Sequence, residues 1–253
     1  MKKIARVYQY LNKGWEFKSA DGKGWMKANV PGNIHLDLIN NELIPDPFFG
    51  NNEAELQWIS DRDWTYRLFF TPSKEIKDRK NKEICFYGID TYADIFLNNK
   101  KIISSNNMFH PWFANVNDVL LPSMNELTIV LRSPIKEVLP IMESLGHTLP
   151  AENDQAGKTS PFTRKAPYHY GWDWGPCFVT SGIWKNVELF AWDNWQLVDI
   201  SVMNNKVNDS IAELNIYVNL FSNIQEDGKM VITESKTGKS IEYPIQINEG
   251  DNE

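Results

Sequence analysis

Between Asp63 and Pro72 the side chains alternate, with Trp64, Tyr66, Leu68 and Phe70 on one side of an extended chain and Thr65, Arg67 and Thr71 on the other. Period-two patterning of this kind buries one face of a strand and wets the other, and it does not suit a helix. Further short runs at Glu83–Ile89, Tyr92–Leu97, Lys100–Ser104, Glu126–Arg132 and Ile183–Ala191 also read as strands, with turn residues between them. Asn98-Asn99 predicts a hairpin tip, because Asn tolerates positive φ. The result is an all-β expectation, an antiparallel sandwich or jelly roll.

Helices are predicted in three places. Asn33 to Glu42 spaces Ile34, Leu38 and Ile39 helically behind Asn33 as the N-cap. Asn52-x-x-Glu55 opens a short helix containing Leu56 and Ile59. Ser133-Pro134 reads as a cap followed by proline at the first helical position, feeding Ile135, Val138, Leu139 and Met142, with Pro140 kinking or shortening the helix. From Gly146 to Pro167 nothing is periodic, and a loop of about 20 residues is expected, a length usually functional or disordered.

Every one of the 10 Trp residues lies between Trp15 and Trp195. That shift places a domain boundary near residue 195. Beyond it Ala212, Leu214, Ile216, Val218 and Leu220 alternate, followed by Met230–Thr233 and Ile241–Ile247. These three or four strands resemble an immunoglobulin-like sandwich, which needs about seven strands and ~100 residues. A fragment of a longer protein is therefore expected.

Charge and composition exclude several classes. With 26 basic and 33 acidic residues the net charge is −7, which repels a phosphate backbone and argues against a nucleic-acid partner. No apolar run reaches the ~18 residues needed to span a membrane. Met1-Lys2-Lys3-Ile4-Ala5-Arg6 opens basic, but Arg6, Gln9, Asn12 and Lys13 interrupt the apolar core of a signal peptide. The expectation is an intracellular protein, or one whose leader has been removed. Cys85 and Cys177 read as buried free thiols, and His35, His110, His147 and His169 show no metal-ligand spacing. No metal or cofactor is expected.

The segment Tyr168-His169-Tyr170-Gly171-Trp172-Asp173-Trp174-Gly175-Pro176 sets four aromatics and a histidine around one carboxylate. Extended, it would put Trp172 and Trp174 on one face and Asp173 on the other. Indoles offer flat partners to the C–H faces of sugars, and a carboxylate accepts bonds from adjacent hydroxyls. The competing reading makes both tryptophans core and Asp173 a turn cap. A retaining glycosidase needs two carboxyls about 5–5.5 Å apart. The Asn-Glu pairs at Asn41-Glu42, Asn52-Glu53, Asn125-Glu126, Asn248-Glu249 and Asn252-Glu253 lie in polar turns or helix starts and read as solvated surface. Glu152 and Asp154 likewise read as solvated loop charges, and no catalytic residue is assigned.

Four ordered stretches resemble the N-terminal part of the β-mannosidases of glycoside hydrolase family 2. They are Val30-Pro31-Gly32-Asn33-Ile34-His35 through Pro45-Asp46-Pro47-Phe48-Phe49-Gly50, then Gly88-Ile89-Asp90-Thr91-Tyr92-Ala93-Asp94, then Asn107-Met108-Phe109 through Ser133-Pro134, and finally Tyr168 to Pro176 with Thr180-Ser181-Gly182-Ile183-Trp184-Lys185. The resemblance implies a jelly-roll, galactose-binding-like β-sandwich over residues 1–194 and the start of an immunoglobulin-like β-sandwich over residues 195–253. It also implies that the two catalytic glutamates belong to a (β/α)8 barrel that this chain does not contain. By the same resemblance Asp173 accepts hydrogen bonds from the terminal mannose and Trp172 walls the pocket. Trp174, Arg164, Lys165 and His169 shape or orient it. The partners implied are a β-mannoside and the missing C-terminal barrel. The expected function is that of a non-catalytic N-terminal piece of an exo-acting retaining β-mannosidase; a free-standing carbohydrate-binding module and a purely structural sandwich are the alternatives.

Overall fold

The structure is a computed structural model that describes residues 6–253; the basic opening stretch before Arg6 lies outside the described residues. In chain order its strands are β1 (Val7–Tyr10), β2 (Glu16–Ser19), β3 (Met26–Lys27), β4 (Trp64–Phe70), β5 (Asn81–Phe86), β6 (Ile89–Asp90), β7 (Tyr92–Leu97), β8 (Lys100–Asn106) and β9 (Trp112–Asn115). They continue with β10 (Asn125–Leu131), β11 (Gly182–Ile183), β12 (Val187–Trp192), β13 (Trp195–Val207), β14 (Ala212–Ser222), β15 (Glu226–Thr233), β16 (Ser240–Ile247) and β17 (Gly250–Asn252). The chain is all-β, as its periodicity predicts.

Two compact units divide it. Tyr8–Asp78 with Lys82–Phe190 form one, and Arg79–Asn81 with Ala191–Glu253 belong to the other. The first is a sandwich of a six-stranded sheet, ordered β3-β2-β4-β10-β7-β8, and a four-stranded sheet, ordered β1-β12-β5-β9. Alternation in β4 is realised as expected, with Trp64, Tyr66, Leu68 and Phe70 buried. Antiparallel register lines these up in rows across the sheet: Leu68, Leu127 and Leu97, then Tyr66, Ile129 and Ile95, then Trp64, Leu131 and Ala93. Such rows place apolar side chains opposite one another on one face, and these cross-strand pairs are the unit of sheet stabilisation. At the β7–β8 turn Asn98 and Asn99 take φ of 52° and 64°, the paired left-handed geometry that matches strand twist.

Two expected single strands are each broken in two. Glu83–Ile89 becomes β5 and β6, and Ile183–Ala191 becomes β11 and β12. The breaks face each other, with Tyr87 N–H donating to Asn186 O at 3.1 Å and Trp184 N–H donating to Gly88 O at 3.1 Å. A Cβ on Gly88 would lie 2.6 Å from the Trp184 ring, so the indole occupies the space a side chain would need. Beyond the break, β6 and β11 pair as a separate two-stranded ladder, Gly182 opposite Asp90.

The first helix, α1 (Ile34–Asn40), begins where predicted. Asn33 is extended, and its Oδ1 accepts from Leu36 N–H at 3.1 Å. Next come α2 (Asn52–Glu55), a 3-10 turn at Gln57–Ile59 and α3 (Lys74–Lys77). The helix expected from Ser133-Pro134 does not start there. Ser133 Oγ accepts from Lys136 N–H at 3.1 Å, but residues 134–138 form turns and α4 runs from Leu139 to Ser144. Pro140 is the reason: it lacks an N–H and its ring would clash in a helix interior, so it is accommodated in the first turn and marks a helix start instead of a kink.

In the second unit β13-β14-β17 form one sheet and β15-β16 another. Leu197, Ile200, Val202, Val218, Met230 and Ile245 line an apolar hollow of about 650 Å3 within it. Ile200 and Val202 remain 52% and 55% exposed, whereas Leu127 and Ile129 are fully buried. The contrast sets a stability test. Leu127→Ala removes packed methyls and is expected to cost ~2–5 kcal/mol, while Ile200→Ala is expected to cost under ~1 kcal/mol, both read by urea unfolding. Equal losses would contradict the difference in packing.

Candidate functional site

The Trp-Asp-Trp segment stands on a buried charge cluster. Asp90, on β6, is 2% exposed, and its Oδ2 pairs with Lys165 Nζ. Lys165 has no exposed side-chain surface and also donates to Thr180 O at 2.8 Å. Thr91 Oγ1 donates to the other Asp90 oxygen, so both carboxylate oxygens are engaged. Burial pulls the Lys165 ammonium below its ordinary range, and the Asp90 carboxylate opposes that pull. Two histidines flank the pair. His35 Nδ1 lies 2.9 Å from Thr180 Oγ1, and His169 Nδ1 lies 3.7 Å from Asp90 Oδ2. Burial first, and the Lys165 charge second, hold both imidazoles down at about 4, so each is neutral at pH 7.

The long segment from Gly146 to Pro167 is folded around a carboxylate. Asp154 is 7% exposed, not solvated as expected, because its oxygens accept from Ala156 N–H at 2.6 Å and Ser160 N–H at 2.8 Å. Lys158 Nζ ties the same stretch to Ala151 O at 2.6 Å and Glu152 O at 3.0 Å. The neighbouring Gln155 N–H donates to Tyr170 O at 2.8 Å, which carries the loop to the base of the aromatic segment.

That segment is a tight hairpin. Tyr170 and Cys177 form an antiparallel bridge, Trp172 N–H donates to Gly175 O at 3.0 Å, and Gly175 N–H donates to Trp172 O at 3.4 Å. The expected extended run, with the indoles on one face, is therefore replaced by a turn whose central residues are Asp173 and Trp174. Gly171 permits the entry, with φ of +93° and a position where a Cβ would sit 2.9 Å from the Gln155 side chain. Bending still brings the indoles together, with ring centroids 6.1 Å apart at 54°. Trp172 is 40% and Trp174 83% exposed, so neither is core. The Asp173 carboxylate is exposed and accepts no hydrogen bond among the described residues. Below the turn, Tyr170, Cys177, Val179 and Ala156 make a small apolar cluster. Burial and the carboxylates of Asp154 and Glu53 push the Cys177 thiol up to about 12, so it is a packing residue.

The structure thus divides the expected site residues into two groups. Trp172, Asp173 and Trp174 share the exposed tip. Lys165 and His169 lie beneath it, beside Asp90. Arg164 is exposed on the approach to the hairpin, where its backbone carbonyl accepts from Met108 N–H at 3.0 Å. Asp90, Thr180, Asp154 and Gln155 were missed as site residues. Asp90 carried a signal, an acidic residue interrupting an apolar strand run, whereas Gln155 carried none.

An all-β sandwich that displays such a hairpin has the form of a galactose-binding-like domain. Residues 15–185 match the family described as glycosyl hydrolase 2 galactose-binding domain-like, and the chain belongs to that family. β-Mannosidase B of Thermothelomyces thermophilus is 34% identical over 91% of this chain and 28% of its own length. The β-mannosidase of Mus musculus is 32% identical over 72% of this chain and 21% of its own length. The crystal structure of a β-D-mannosidase from Dictyoglomus thermophilum superposes with a TM-score of 0.90 at 38% identity, covering 97% of this chain and 30% of that one. The chain is similar to the N-terminal region of these enzymes and spans under a third of their length. A β-glucuronidase from an uncultured Clostridium species, at 18% identity and a TM-score of 0.59, shares the fold.

The neutral histidines generate a pH prediction. Between pH 6.5 and about 4 the unfolded chain binds a proton at each of His35 and His169 that the folded chain does not, so stability falls as pH is lowered. Asp37 opposes this: burial raises its carboxyl to about 6, and between about 6 and 3.8 the folded chain holds the extra proton. Each histidine contributes about 1.4 kcal/mol per pH unit in this window, so between pH 4.5 and 6 the slope read by urea unfolding is expected to be smaller by about that amount in His169→Gln. An unchanged slope in the variant would contradict the cluster's electrostatics.

Proposed function

We propose that the chain is the non-catalytic N-terminal part of an exo-acting retaining β-mannosidase, and that its hairpin completes the glycon pocket of a (β/α)8 barrel carried elsewhere in the complete protein. In this reading residues 1–194 are the jelly-roll sugar-binding domain and residues 195–253 begin an immunoglobulin-like sandwich. The hydrolysed substrate is a terminal β-D-mannoside. The observation that carries the reading is the hairpin tip itself: two exposed indoles next to a carboxylate that accepts no hydrogen bond among the described residues. Exposed tryptophan surface is unfavourable by ~25 cal/mol per Å2 of apolar area, so a tip of this kind is stabilised when something covers it. A sugar suits it, since C–H faces pack on the indoles and hydroxyls donate to the carboxylate.

Asp173 accepts the glycon hydroxyls, and Trp172 walls the pocket with Trp174 beside it. Lys165 and His169 act from below, as positioning residues that hold the hairpin's approach against β6 and β11, and Arg164 shapes the entry. In the complete enzyme Asp173→Ala is expected to lower kcat/KM on a β-mannoside by at least ~30-fold, the loss of a charged hydrogen bond of about 2 kcal/mol. Asp173→Asn, which keeps an acceptor but not the charge, is expected to fall between. A wild-type rate in Asp173→Ala would overturn the role assigned to the tip.

A further inference from the structure

Next to the hairpin lies a hollow that the glycon reading leaves unused. Its volume is about 430 Å3, and Asn51, Glu53, Gln57, Gln155 and Cys177 line it. That volume is within the ~300–1,000 Å3 of small-molecule sites. The internal hydrogen bonds of its polar residues are one-sided. Glu53 Oε1 accepts from Cys177 N–H at 2.6 Å, while Oε2 has no partner among the described residues. Gln57 Nε2 donates to Glu53 O at 2.7 Å and to Cys177 O at 2.9 Å, which uses both of its protons and leaves Oε1 over. Gln155 Nε2 donates to Trp172 O at 3.3 Å, leaving one N–H and Oε1. The Asn51 side chain forms no cap bond to the helix it precedes.

The groups left over are four acceptor oxygens, on Asn51, Glu53, Gln57 and Gln155, and amide donors from Asn51 and Gln155, with a single negative charge among them. A hard divalent cation asks for more oxygen charge than one carboxylate supplies. An anion meets Glu53, and an apolar ligand would strand the amides without partners. Hydroxyl groups, which donate and accept at once, match the set. The hollow is also built into the hairpin. Glu53 and Gln57 fix Cys177 on its outgoing leg, and Gln155 touches Gly171 and Trp172 on its incoming leg.

We propose that this hollow is a second sugar subsite, taking the hydroxyls of the unit linked to the mannose held at Asp173, with Gln155 as the wall common to both. The inference rests on the reading of the hairpin as a sugar-binding element and adds the specificity of that site for a disaccharide over a simple mannoside. The test is steady-state kinetics of the complete enzyme on mannobiose and on methyl β-D-mannoside. Gln155→Ala, at an exposed position, and Glu53→Gln, which keeps an acceptor for Cys177 N–H, are each expected to lower kcat/KM on mannobiose by at least ~5-fold more than on methyl β-D-mannoside. Two results would overturn the subsite: an unchanged ratio of the two substrates in both variants, or an equal loss on both substrates. If the ratio is unchanged while Asp173→Ala still lowers kcat/KM on both substrates, the subsite fails while the hairpin reading stands.

Discussion

The ion pair between Lys165 and Asp90 is the interaction on which the presentation of the hairpin depends. Two opposite charges with almost no exposed surface are tolerated because each meets the other and a further polar group, Lys165 the Thr180 carbonyl and Asp90 the Thr91 hydroxyl. A lone charge left at this depth would carry a desolvation penalty of several kcal/mol. The pair therefore allows few alternative arrangements: it joins β6, the residues after β10 that lead into the hairpin, and the strand entering β11. Neutral His35 and His169 fit the same logic, since a further positive charge beside Lys165 would be repelled by it and Asp90 is already engaged. The exposed tip gains its fixed direction from a base that excludes water.

Much of the fold was legible because its signals are local. Alternation in β4 and β10 follows from the need to bury one face, the Asn98-Asn99 turn from the conformational tolerance of Asn, and the Asn33 cap from one side chain meeting one backbone amide. What was not legible depends on partners distant in sequence. The break between β5 and β6 is caused by an indole nearly a hundred residues away packing on Gly88. The helix start at Leu139 was legible in principle, since Pro140 was seen, but proline reads equally as a kink or a beginning until the turn before it is known. Asp154 looked like a solvated loop charge because its partners are the backbone amides of its own loop, and amides leave no mark in a sequence.

The aromatic segment was conspicuous in its residue types and illegible in its geometry. Residue type left core packing and sugar contact both open for Trp172, Asp173 and Trp174, the sugar-facing expectation came from the resemblance, and a strand reading would have put the carboxylate and the indoles on opposite faces. Gly171 and Gly175 allow the turn that puts Asp173 and Trp174 together at the tip, with the Trp172 ring against that of Trp174. Residues with weaker signals lie beneath it: Lys165 pairs with Asp90, and Gln155, which stood out in no pattern, links the loop to the incoming leg of the hairpin.

A projecting tip is an unusual place for sugar chemistry, and that oddity constrains the reading. Desolvating a pyranose takes surfaces on several sides, and small-molecule sites bury about 70–90% of their ligand. Two indoles and one carboxylate supply a single wall. If the tip binds a glycon with useful affinity, the remaining walls have to come from another surface. The rigidity of the base then has a functional meaning. A wall delivered into another domain's pocket has to arrive within about 0.5 Å of its working position, and a buried charge pair gives that placement more reliably than a flexible surface loop does.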